Sequence, residues 1–198
     1  MQISEEKISE NREKIKTLVF NHFENPEKVF RYLDNSDFFT APASKATHLA
    51  VKGGLAQHSL NVVNLAIDID TLLSKYTNSR SMSDTDCVIG GTAHDFCKID
   101  EYDVNSYPFS EEPYISRHFE PLGHGTKSLD RLLRVEPNAS IRQKMLVRWH
   151  WMYYDNEFIR NDKAVLSQFP EVSIIHTADL LSAIWLEEHH GPKFNEKR

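Results

Sequence analysis

GGLAQHSLNVVNLAIDIDTLLSKY, residues 53–76, is the stretch that decides the fold. Its apolar positions Leu55, Val62, Leu65, Ile69 and Leu72 recur at intervals of three, four and seven residues, the period of one face of an α-helix. Gly53-Gly54 punctuates the chain before it, and the polar run TNSRSMSD at 77–84 closes it. One imidazole, His58, sits a single turn inside this apolar helix. Working towards the N-terminus, FFTAPASKATH at 38–48 reads as a connection broken by Pro42. Before it come two helices. The first spans 5–23 with Ile8, Ile15, Leu18 and Val19 on one face. The second is opened by Asn25 as cap and Pro26 at the first helical position, and carries Val29, Phe30 and Leu33.

Towards the C-terminus, Ser83 or Asp84 caps a helix that runs through CVIGGTAHD at 87–95. Its Gly90-Gly91 pair costs roughly 1 kcal/mol per residue against alanine. That points to close packing on the long helix, unless the helix begins only after the pair. Residues 100–120, rich in Tyr, Pro and acids, read as an irregular lobe or a short hairpin. Helices resume at about 121–135 and 138–150, each with a proline near its start. DNEFIRNDKAV at 155–165 reads as a loop, and Pro170 starts a last helix with Ile174, Ile175, Ala178, Leu181 and Ile184.

These patterns predict an all-α, single-domain helical bundle. Residues 1–37 are N-terminal helices packing on the core, 38–186 the main domain, and 187–198 a polar tail. Composition agrees: 198 residues, 40% hydrophobic and 26% charged, with only 7 Gly and 8 Pro, which disfavours a sandwich or barrel. The net charge of −6 argues against an autonomous nucleic-acid binder, which normally presents a basic face, though a basic cleft on an acidic body is compatible with it. Cys87 and Cys97 are too few for a disulfide framework. The opening MQISEEKISENREK has no apolar signal core, and no run approaches the ~18 apolar residues of a membrane span. A reducing, cytoplasmic setting without membrane attachment is the expectation.

Ten histidines are many for this length, and their placement is informative. GGLAQHSLNVV supplies His58; TAHDFCKID supplies His94 and Asp95; LGHGTKS sets His124 between two glycines; RWHWMYYD places His150 at a helix end; HTADLLSA places Asp179 among apolar neighbours. A buried aspartate is costly unless paired or bound to a cation, so Asp179 calls for a partner. Imidazole nitrogens with carboxylates suit a borderline transition metal.

The ordered series H…HD…H…H…D resembles the HD-domain phosphohydrolase superfamily over about residues 38–186. The likeness is nearest to the HD domains of bacterial 3′–5′ exoribonucleases and to small dimetal HD nucleotide hydrolases. The resemblance implies a bundle of the HD/phosphodiesterase type. It also implies that His58, His94, Asp95 and Asp179 hold one metal, while Asp95 bridges to a second held by His124 and His150. Asp95 and Lys98 are then the catalytic candidates, with Lys98 meeting phosphate or, alternatively, ending a helix in solvent. Cys97 departs from the pattern, since relatives usually carry glycine there. It would tilt the turn or sit inert in the core.

The chemistry implied is ester hydrolysis by hydroxide activated between two divalent cations, ~3.5–4 Å apart in such sites. Mn, Fe, Co, Ni or Zn fit this ligand set, Mg less naturally. The expected substrate is a small phosphorylated molecule, a nucleotide by preference. Single-stranded nucleic acid, cleaved by a 3′–5′ exonuclease or phosphodiesterase, is the alternative, as is a non-catalytic metal- and nucleotide-binding regulator. Substrate contacts are sought in His48, Lys52, Trp151 and Tyr154, against plain loop or core roles. Arg117 or His118 of the 100–120 lobe reaches the pocket or lies in solvent. His176 shares a helical face with Asp179, as a hydrogen-bonding neighbour of the site or a core histidine. His22, His189 and His190 are left outside the site.

Overall fold

The computed structural model describes residues 2–107, 109–117 and 122–187. Eight α-helices are described: α1 (Glu5–His22), α2 (Pro26–Asp34), α3 (Gly54–Thr77), α4 (Asp84–Ala93), α5 (His124–Val135), α6 (Ile141–Trp149), α7 (Asn156–Gln168) and α8 (Val172–Leu181). Short 3-10 turns follow α4 at Phe96–Lys98 and α6 at Met152–Tyr154, and a wide π-type turn, Ser182–Leu186, continues α8. The 100–120 lobe holds the described β-structure, a hairpin of β1 (Tyr102–Val104) and β2 (Tyr114–Ser116), antiparallel with Tyr102 opposite Ser116. The molecule is mostly helical, as the 3.6-residue patterning predicts.

Helix α3 is the axis of the bundle, packed against α4, α8 and α1. One core cluster joins Ile15 and Val19 of α1, Val29 and Leu33 of α2, Leu55 and Leu60 of α3, and Leu132 of α5 around Phe38 and Phe96. A second joins Val62 and Ala66 of α3 to Leu146, Phe158, Val172, Ile175 and Ala178. Helices α3 and α4 contribute to both. The Gly90-Gly91 pair lies within α4, and its role is contact. A Cβ at Gly91 would stand 2.8 Å from the backbone nitrogen of Val63 and 2.9 Å from its Cα, so only glycine lets α4 approach α3 this closely.

The fold corrects three expectations. The 155–165 segment is not a loop but most of α7. Asp155 caps it by accepting from the backbone N–H groups of Glu157 and Phe158, and Phe158 and Val165, seven residues apart, are its buried face. Helix α6 is opened by a reciprocal capping box of Ser140 and Gln143, not by Pro137. Helix α5 starts at His124, later than expected; Pro121, proposed to open it, lies outside the described residues. Among the described residues no helix is long and apolar enough to cross a membrane.

Candidate metal centre

His58 projects from the first turns of α3 and is fully buried. Successive residues on an unbroken helix diverge by about 100°, which would separate His94 from Asp95. Helix α4 ends just there. His94 keeps helical backbone at φ −54°, ψ −39°, whereas Asp95 leaves it at φ −105°, ψ 21°. The 3-10 turn that follows is fastened to α5. Ser128 Oγ accepts from the Cys97 N–H at 3.1 Å, and Arg131 Nη1 donates to the carbonyls of Phe96 at 2.7 Å, Cys97 at 3.2 Å, and Ile99. His124 is the first residue of α5. The neighbouring Gly125 lies against the carbonyl of Arg148, where any Cβ would collide, and this draws α5 onto the end of α6 and His150. Asp179 comes from α8.

The side chains from these elements converge. His58 Nε2 lies 3.1 Å from Asp179 Oδ1, 3.5 Å from Asp95 Oδ2 and 3.2 Å from His94 Nε2. His94 Nε2 lies 3.4 Å from Asp95 Oδ2 and 4.0 Å from Asp179 Oδ1. The other Asp95 oxygen, Oδ1, is 2.7 Å from His124 Nε2. The His150 ring stands 5.1 Å from that of His94 and 5.2 Å from that of His124, between centroids.

Hydrogen bonds on the far side of each ring settle which nitrogen faces inward. His94 Nδ1 meets the carbonyl of Gly91 at 2.8 Å, and His150 Nδ1 meets that of Val147 at 2.7 Å. A carbonyl only accepts, so both Nδ1 atoms donate, and in the neutral ring each Nε2 presents a lone pair. His58 Nδ1 is 2.9 Å from the Glu187 carboxylate, so it too donates through Nδ1, and loss of the Nε2 proton would leave that nitrogen free for a metal. Glu187 also accepts from Asn61 Nδ2 at 2.9 Å.

The electrostatics follow from this crowding. Burial draws the His58 pKa down, but its hydrogen bonds to Asp179 and Glu187 prevail and push it up to about 10. For His124 burial is outweighed by Cys97 and Asp95, and its pKa also rises to about 10. Burial and the neighbouring His94 and His124 pull His150 down to about 3, so it stays neutral. Burial would raise Asp95 and Asp179, yet Lys98 and His94 around the first, and His58 and His94 around the second, hold both below the ordinary carboxylate value. Lys98 Nζ is 2.6 Å from Asp95 Oδ2, and that attraction overcomes burial to keep the ammonium charged.

These residues fit a metal. Imidazole nitrogens of His58 and His94 lie within 4.0 Å of carboxylate oxygens of Asp95 and Asp179, a donor set that could hold a cation in place of the proton that His58 shares with Asp179. The Nε2 of His150 is buried with no hydrogen-bond partner, and Asp95 Oδ2 has none of good geometry despite its ion pair with Lys98. Two ligand triads share Asp95: His58, His94, Asp95 and Asp95, Cys97, His124.

The remaining expected residues fall at different places. The His48 ring is 5.0 Å from that of His58; its Nε2 is buried without a partner, and burial together with Lys98 pulls its pKa down to about 4. Trp151 stacks on His124 at 4.3 Å with the rings nearly parallel. With the exposed Tyr154 it lines a cleft of about 290 Å³ that also reaches His124, Arg148, Asp155 and Glu157. Lys52 is not brought to this cluster by any described contact; its Nζ is held by Glu5 of α1 at 2.7 Å. Arg117 pairs with Asp103 within the hairpin, and His118, His189 and His190 lie outside the described residues. His176 Nδ1 donates to the carbonyl of His150 at 2.8 Å, bracing that residue from behind.

Three contributors escape a reading of sequence order. Glu187, assigned to the polar tail, is buried behind His58, with Asn61 beside it. Cys97 faces His124 rather than the apolar core. Asn61 lies three residues after His58, a spacing that shares a helical face. Glu187 follows a π-type turn that no periodicity announces. No family model, curated protein or solved structure matches this chain.

Proposed function

We propose that the chain is a metal-dependent phosphohydrolase of the HD type, cleaving a phosphate ester of a nucleotide or a similarly small molecule. The observation that carries this reading is the cluster of inward-facing imidazole nitrogens and carboxylate oxygens of His58, His94, Asp95 and Asp179, gathered from α3, the end of α4 and α8. On this reading those four residues hold one divalent cation, and Asp95, His124 and His150 hold a second. Bound there, such cations offset the phosphate charge and make hydroxide available near neutral pH.

The chain's own groups do the rest. Asp95 offers one oxygen towards each half of the cluster. Glu187 and the carbonyls of Gly91 and Val147 fix the ring tautomers, as hydrogen bonds behind metal-binding histidines commonly do. Lys98 supplies an ammonium for a nonbridging phosphate oxygen. Trp151 and Tyr154 give the cleft an aromatic wall suited to a base or another flat group. Asp155 and Glu157 on the same cleft are both paired with Arg148 and leave it no basic excess, which with the net charge of −6 favours a small substrate over nucleic acid.

The test is a panel assay on protein reconstituted separately with Mn, Co and Zn. p-Nitrophenyl phosphate, its bis ester, nucleotides and labelled single-stranded RNA are the substrates. Turnover of monoesters or nucleotides, abolished by a chelator, is expected. Cleavage confined to RNA would move the assignment to the exonuclease. Inactivity throughout at full metal occupancy would leave a regulator.

A further inference from the structure

Cys97 occupies a position that catalysis as described above does not use. Its Sγ is 3.3 Å from both Nδ1 and Nε2 of His124, and it forms a ligand-competent triad with Asp95 and His124. Two ligands on one tetrahedral zinc, at about 2.3 Å for sulfur and about 2.0–2.1 Å for nitrogen, stand about 3.5 Å apart, close to the separation seen here. The side chain is held in place. Its backbone N–H is bound by Ser128, its carbonyl by Arg131, and it is 5% exposed. A second, independent feature marks the same spot. His150 is wholly buried, spends Nδ1 on Val147, and leaves a buried Nε2 without a partner, its ring 5.2 Å from that of His124.

We propose that Cys97 is a thiolate ligand of the second metal, so that this half of the centre is a sulfur-containing site built from Asp95, Cys97, His124 and His150. The inference rests on the dimetal reading above and goes beyond it by naming the metal class. Thiolate favours Zn, Co or Fe over Mn and Mg. On binding, the thiol proton passes to solvent and the sulfur lone pair goes to the metal. The two halves of the centre then differ in kind: nitrogen and oxygen donors on the His58 side, and sulfur as well on the His124 side.

Cobalt decides the matter spectroscopically. The cobalt-loaded chain is expected to show a near-ultraviolet sulfur-to-cobalt charge-transfer band beside its visible ligand-field bands. Cys97→Ser and Cys97→Ala should lose the former and keep the latter. Cys87→Ser should retain both, because Cys87 lies in the separate α3–α8 core. X-ray absorption of the zinc-loaded native chain gives a second readout that needs no variant, with a sulfur shell at about 2.3 Å expected. Bound cobalt without the charge-transfer band, or zinc without sulfur, overturns the Cys97 assignment and leaves the dimetal reading standing. Failure to take up either metal overturns both.

Discussion

Glu187 shows how much of the proposed metal site is built behind the residues that would hold the ion. It touches no inward-facing lone pair, yet its carboxylate fixes the His58 ring by accepting from Nδ1, and Asn61 holds the carboxylate in turn. Partners of this kind typically change metal affinity about 10–100-fold. Glu187→Ala is therefore expected to weaken metal binding by about that factor in a chelator competition titration. Glu187→Gln should recover part of the loss, since its amide oxygen still accepts the hydrogen bond. Unchanged affinity in the alanine variant would reduce Glu187 to a buried ion-pair partner. His58, His94, Asp95, His124, His150 and Asp179, which the fold brings together, were legible as candidates in the sequence because each stands in a short distinctive motif. Glu187 was not, because its role depends on where the chain turns after α8, and a glutamate among polar residues reads as solvated.

At the scale of elements, the site depends on how closely α3 and α4 approach. Gly91 is the point of contact, and its carbonyl also orients His94. Gly91→Ala gains helix propensity of roughly 1 kcal/mol but presses a methyl group onto the backbone of Val63, which cannot rotate away. Overpacking of this kind costs about 1–3 kcal/mol. Denaturant unfolding is expected to show a net destabilisation of up to about 2 kcal/mol, with metal affinity falling as His94 is displaced from His58. A more stable variant with unaltered affinity would mean that α4 is free to shift. The Gly-Gly pair was readable as a packing signal from its cost alone. Helix α7 was not, since its buried face is little more than Phe158 and Val165 on an otherwise polar segment. Its start signal, Asp155 followed by acid, was present in the sequence; the apolar stripe that usually accompanies such a signal was too thin to be recognised. The hairpin was legible only as an irregular lobe, because strands of three residues carry no usable alternation.

Across the whole molecule, helices far apart in sequence deliver buried carboxylates and imidazoles to one place. Asp95, Asp179 and Glu187 bring three carboxylates to this cluster, met by the Lys98 ammonium and by the raised pKa values of His58 and His124; a divalent cation would take the place of the imidazolium protons. Folding alone does not reward such crowding, since isolated buried charges cost stability. A bound cation offsets that cost and raises the stability of the folded state by mass action. The direct test is metal stoichiometry, measured by equilibrium dialysis with elemental analysis on the native chain and two variants. The account predicts two divalent ions per native chain, one in His124→Ala, and none retained in Asp95→Ala while its helical circular dichroism persists. A native chain that binds no divalent ion at saturating concentration, or an Asp95→Ala variant that keeps both, would contradict it.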